Sequence, residues 1–315
     1  MKRLKNLVSW FKRLFMVPGL FALLLVASGC SGITVLDPKG PVARTQQELI
    51  IFSITLMSVI VIVVFVLFFY MIIRFRERPN WTDKDYDPHQ HGNTTLEIIW
   101  TVIPFIIVAA LSVPTVTSLY ALESPPEETN DQEPLVIHAD TSNWKWYFSY
   151  PEQDIETVNY LHIPENRPIE FKLASADSMT ALWIPALGGQ KYNMAGMQNT
   201  LYLQADEEGE FAGRNANYNG SGFAEHTFTV TSESEEEFNQ WVSDVQNNAP
   251  EMTKDRFDQY LEPGLAQEAE YSSTHLEYVD FGMNSGRSYI TDLYGGNLGE
   301  QLHLEGGEGG PWEEE

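Results

Sequence analysis

The segment GRNANYNGSGFAEH, residues 213–226, sets Asn215, Asn219, Phe223 and His226 at spacings of four, four and three. Metal loops are often laid out this way, with a few ligands on a tight turn converging on one ion. The residue types do not follow. A carboxamide is a poor ligand for a soft transition metal and a phenyl ring is none, which leaves His226 alone. Cys30 is the one cysteine in 315 residues, so no internal disulfide and no paired-thiolate site can form within the chain. Glu97, in TTLEIIWTVIP, is an acid at the mouth of an apolar run. Such a residue either favours a helix start through the dipole or gathers protons at a membrane boundary. His89 and His91 in DPHQHGN are read as part of an exposed polar loop rather than a metal pair.

These residues have to be positioned by elements of very different kinds. Residues 1–120 carry 11 Lys/Arg against 7 Asp/Glu, whereas residues 121–315 carry 8 against 37. Nucleic acid is thereby excluded as a partner, since phosphate binding needs a basic stripe. Lys2, Arg3, Lys5, Lys12 and Arg13 precede the apolar run Leu14–Val26 and the small residues of ASGC, which reads as a secretory signal over residues 1–29. The placement of Cys30 resembles a bacterial lipobox, in which the thiol is diacylated. An external N-terminal segment then covers residues 30–45.

Two stretches of 25 uncharged residues, between Glu48 and Arg74 and between Glu97 and Glu123, each exceed the about 20 needed to cross a bilayer. A transmembrane hairpin is expected over 46–122, with spans at about 49–73 and 98–122. Arg74, Arg76, Arg78 and Lys84 lie between the spans, which places that loop in the cytoplasm and both ends outside. After a charged linker at 123–134, short β-rich runs separated by Pro, Gly, Asn and Asp turns predict an antiparallel sandwich over 135–232. Helices follow over 233–262, the first opened by the capping-box pair Ser234 and Glu237. Residues 263–315 are expected to form an acidic tail with a disordered end. The strand WKWYFSY has aromatics on both faces, so Trp144, Trp146 and Tyr147 are either core or a docking surface.

The order of parts is itself informative: lipobox, TLEIIWTVIP hairpin, WKWYFSY, LWIPALGGQKYNMAGM, then the 213–226 loop. Over residues 30–250 it resembles subunit II of the haem–copper respiratory oxidases. The resemblance implies a membrane-anchored α+β chain: a two-helix transmembrane hairpin, an external cupredoxin-like antiparallel β-sandwich and C-terminal helices. In the cytochrome c oxidases of that family the external domain binds two copper ions through two His, two Cys, a backbone-donating Glu and a Met. Those positions fall here on Thr180, Asn215, Asn217, Asn219, Phe223 and His226, and none of the family's ligands is present. The departure is similar to the quinol-oxidase branch, as are NWKWYFSYPEQ and YNMAGMQ.

The resemblance then implies a subunit of a proton-pumping quinol:oxygen oxidoreductase in the bacterial cell membrane. It implies no cofactor or metal in this chain, haems and one copper in subunit I, and quinol as substrate of the complex. Subunit I, the smaller oxidase subunits and the bilayer are the implied partners, and Glu97 matches the family's acid at the start of a proton path. Cytochrome c oxidase subunit II and a non-respiratory lipoprotein with a reused external domain are the alternative readings.

Overall fold

The computed structural model describes residues 33–76, 92–129 and 131–294; Cys30, Arg78, Lys84, His89 and His91 lie outside them. The chain divides into two units at Asp37/Pro38. In the first, the described residues form one 3-10 turn, Thr34–Leu36.

The second unit begins with α1, Pro41–Phe75, capped by Gly40 and opened by Pro41, whose missing N–H costs nothing in a first turn. Gly40 is required by close approach, because a Cβ there would stand 2.0 Å from the Gln204 carbonyl oxygen. Lys39 and Ala43 donate backbone hydrogen bonds to Ala186 and Leu187, and Val42 and Ala43 are buried. The first turn of α1 is thus built into the domain that follows the hairpin.

The second long helix, α2, Thr94–Ala121, starts at Asn93, whose side chain accepts from the Thr95 and Leu96 amides. Half-buried Leu49, Ile50, Ser53, Leu56 and Ile60 on α1, and Ile107, Leu111, Pro114 and Ser118 on α2, recur at helical spacing. Beyond these, α1 to Phe75 and α2 from Thr94 to Ile106 are exposed on every side although almost wholly apolar. Water would not tolerate that surface; lipid or a membrane partner does.

Two sheets make the sandwich. In chain order the strands are β1 Leu135–Ser142, β2 Lys145–Tyr150, β3 Ile155–Val158, β4 Tyr160–Pro164, β5 Ile169–Ser175, β6 Thr180–Trp183, β7 Lys191–Asn193, β8 Asn199–Leu203, β9 Gly209–Asn215, β10 Thr227–Glu233 and β11 Ala269–Tyr271. One sheet runs β11-β3-β2-β1-β5-β8 and the other β4-β10-β9-β6-β7. Within the sandwich the pairs β1/β5 and β4/β10 are parallel, which alternation of apolar and polar residues does not distinguish from antiparallel. Helix α3, Glu235–Asn248, carries the Ser234/Glu237 capping box and buries Phe238, Val242 and Val245; α4, Lys254–Leu261, and α5, Asn284–Leu293, follow.

There are two cores. Between the sheets lie Trp146, Phe148, Phe171, Phe211 and Phe228, joined by the apolar face of α3. Outside the first sheet a second cluster forms from Tyr147, Met252, Phe257, Phe281 and Ile290. This corrects two expectations. Residues 263–294 are not a tail: they pack across the sheet, contribute β11 and α5, and bury Tyr271, Val279 and Phe281. Trp146 and Tyr147 form no docking surface, because both are 0% exposed, one covered by each core. Trp144 is half-buried, its ring over Gly220 and Gly222, where any Cβ would meet it at 3.0 and 2.4 Å.

Candidate functional site

Strand β9 delivers Asn215 to the loop and β10 begins just after His226. The Asn215 amide donates to the His226 carbonyl at 2.9 Å, so the loop closes like a hairpin. Inside it the polar side chains satisfy one another. Asn215 Oδ1 accepts from the Ala181 and Asn217 amides at 3.0 and 2.8 Å, and its Nδ2 donates to Asn219 Oδ1 at 3.0 Å. Asn219 Nδ2 donates to Asn143 Oδ1 at 3.1 Å and Ser178 Oγ at 3.2 Å, while Trp144 Nε1 donates to the Asn219 carbonyl. Asn217 Nδ2 donates to the carbonyl of Met179, the residue before β6, at 2.8 Å.

His226 is buried at the centre. Its Nε2 faces the Lys145 carbonyl and Thr141 Oγ1, each at 3.2 Å, and so carries the proton. Nδ1 is left to accept from the Asn215 and Asn219 carboxamides at 3.4 and 3.5 Å. Burial pulls its pKa down to about 4, so the ring is neutral at ordinary pH. Thr180 is fully buried and its Oγ1 has no partner among the described residues. Phe223 makes no hydrogen bond in this group; it sits half-buried against Tyr218 and lines a cleft with Trp183, Arg214 and the edge of Asn215.

Four of the six positions matched to copper ligands, Thr180, Asn215, Asn219 and His226, therefore sit in or beside one buried cluster, with Asn217 at its edge and Phe223 in the adjoining cleft. Copper does not fit the residues present. A dinuclear centre needs two bridging thiolates and soft donors, whereas this loop offers three carboxamides, a phenyl ring and an imidazole whose two nitrogens are both hydrogen-bonded.

Residues 30–117 match the family described as cytochrome C oxidase subunit II, transmembrane domain. Quinol oxidase subunit 2 of Bacillus spizizenii is 56% identical over 270 residues, which cover 86% of this chain and 84% of that protein. The chain belongs to the quinol oxidase subunit 2 family. The Bacillus subtilis member is 54% identical over the same shares. Among solved structures, the periplasmic domain of subunit II of cytochrome oxidase of Bradyrhizobium japonicum aligns at 23% identity and a TM-score of 0.35, covering 36% of this chain and 93% of that one. Membership agrees with the family expected from the TLEIIWTVIP hairpin and the WKWYFSY strand.

At the other end of the hairpin, Glu97 sits in the first turn of α2, where its backbone amide donates to Asn93. It is exposed there, at the mouth of the span. A second charged site went unseen in the sequence. His275, fully buried, is gripped between Glu156, whose Oε2 lies 2.7 Å from Nδ1, and Asp140, whose Oδ2 lies 3.2 Å from Nε2. Burial opposes its charge, but the two carboxylates outweigh burial and hold the pKa at about 10. No spacing signal exists for residues on β1, β3 and the C-terminal segment.

Proposed function

We propose that the chain is subunit II of a proton-pumping terminal quinol oxidase, a scaffold for the haem-bearing subunit I with no redox centre of its own. The observation that carries this is the loop chemistry. At the positions where the related cytochrome c oxidases place thiolates, Asn215 and Asn219 are wired into a satisfied carboxamide network. Electrons that arrive on membrane quinol have no need to pass through this domain. The haems and the remaining copper belong to subunit I on this reading, and the exposed apolar length of α1 and α2 is what subunit I and lipid cover. Purifying the complex and supplying quinol or reduced cytochrome c tests it: oxygen uptake with quinol is expected, and uptake with cytochrome c alone defeats the assignment.

The topology proposed places the loop carrying Arg74 and Arg76 in the cytoplasm and the sandwich outside the cell, supported by the positive-inside rule. Cys30 is the proposed lipid anchor. The mature chain should begin at Cys30 with a diacylated thiol, and intact-mass spectrometry reads this directly; an unmodified Cys30 or a chain starting at Met1 rejects it.

Glu97 is proposed as a proton collector for subunit I, supported by its place at the mouth of α2. Its carboxylate can take a proton from the cytoplasmic side and pass it on, which a carboxamide of equal size cannot do. Glu97→Gln should slow turnover by about a hundredfold or more, the lower end of the range for a positioned acid or base, while haem content and assembly stay normal. Unchanged turnover across pH would leave Glu97 as a helix-start acid only.

A further inference from the structure

Phe223 forms with Trp183, Gly189, Gln190, Arg214, Asn215 and Ala216 a cleft of about 490 Å³ on the second sheet. Trp183 and Arg214 are paired across β6 and β9, so their side chains leave the same face. In a part of the chain with 8 Lys/Arg against 37 Asp/Glu, Arg214 is exposed and makes no ion pair among the described residues. A free guanidinium beside a Trp and a Phe is therefore out of keeping with its surroundings.

The height of the cleft relative to the bilayer follows from its floor. A Cβ on Gly189 would come within 2.8 Å of the Gln46 carboxamide, so this wall packs on the first turns of α1. Gln46 lies three residues before Leu49, where the uncharged run begins. At about 1.5 Å rise per residue that is about 4.5 Å outside the hydrocarbon, within the headgroup layer, which is about 5–7 Å thick on each side. Aromatic rings favour that layer, and a planar guanidinium matches a phosphate with two parallel hydrogen bonds.

We infer that this cleft binds the phosphate headgroup of an anionic phospholipid, with Arg214 on the phosphate and Trp183 and Phe223 against the glycerol and upper acyl carbons. The inference rests on α1 spanning the membrane and not on the quinol-oxidase reading.

The test uses the intact complex reconstituted in nanodiscs of phosphatidylcholine with one fifth phosphatidylglycerol, then washed in detergent, with retained lipid counted by mass spectrometry. Wild type should retain phosphatidylglycerol in preference to phosphatidylcholine. Arg214→Gln should lower that retention about tenfold, the loss of one charged contact, and Arg214→Lys should retain part of it. Equal retention of the two lipids by wild type overturns the site, as does retention unaffected by Arg214→Gln. A photo-crosslinker at Trp183 that captures another subunit instead of lipid also overturns it. If Arg214→Gln does not assemble, exchange of the wild-type lipid against excess phosphatidylcholine still decides, because a bound anionic lipid exchanges more slowly than a zwitterionic one.

Discussion

Replacing His275 by Ala should detach the C-terminal segment from the sandwich and cost about 3–5 kcal/mol, the range for removing one partner of a buried ion pair. The cation is what makes the cluster tolerable. Glu156 is fully buried and Asp140 1% exposed, and Glu156 Oε2 also accepts from the His275 backbone amide and from Ser149 Oγ, both at 2.8 Å. Without the imidazolium two carboxylates face each other in a dry interface, with Phe257 left unstacked from the ring it lies on at 4.4 Å. Hydrogen exchange over residues 250–294 reads the effect.

The pH dependence has a definite sign. The folded pKa of His275 lies near 10, above the ordinary value of 6.5. Its stabilisation is therefore complete below about pH 6.5 and is lost as pH rises through about 10, at up to roughly 1.4 kcal/mol per pH unit in between. His226 runs the other way: held neutral by burial with a pKa near 4, it contributes above pH 6.5 and fails as pH falls through about 4. His138 is the titratable neighbour coupled to His275; it also feels Asp140, Asp280 and Lys172, and burial lowers its pKa. Protection of residues 250–294 should fall on the alkaline side in wild type, and His275→Gln should remove that alkaline loss while being less stable at neutral pH. An alkaline limb unchanged in His275→Gln would show that another group titrates there.

What the sequence revealed and what it hid divide along physical lines. The spans were legible because a charge-free run of 25 residues has one cheap environment. Most strands were legible because Pro, Gly, Asn and Asp punctuate them. Tyr147 was not, since a strand with aromatics on both faces needs cover on both, and the cover comes from Met252, Phe257 and Phe281, in a segment whose mean composition is polar and acidic. Residues 263–294 look like a tail in sequence for the same reason: average charge hides the well-placed aromatics Tyr271, Phe281, Tyr289 and Tyr294. The loop was half legible. Residue types alone reject copper, but that Asn215 and Asn219 both reach His226 Nδ1 while Phe223 lines the cleft is decided by backbone geometry.

That geometry makes the copper question an experiment on side chains. Carrying Thr180→His, Asn215→Cys, Asn217→Glu, Asn219→Cys, Phe223→His and His226→Met together should give a chain that binds copper with the intense absorption of thiolate ligation, while wild type stays colourless after copper addition. Positions 215 and 219 already direct atoms to within 3.0 Å of each other and converge on position 226, so two thiolates there start near a bridging arrangement. Position 180 is buried beside them with an oxygen that has no partner to lose among the described residues. The costs are specific. The Ala181 and Asn217 amides lose their acceptor on Asn215, and Trp144 must keep its place over Gly220 and Gly222. Position 223 has to turn inward from the cleft, so a five-fold variant that keeps Phe223 should bind copper more weakly than the six-fold one. Stoichiometric thiolate–copper binding by the unsubstituted chain would contradict the quinol-oxidase reading outright. A folded six-fold variant that stays colourless would show that the carboxamide network now holds the loop in a shape no dinuclear centre can use.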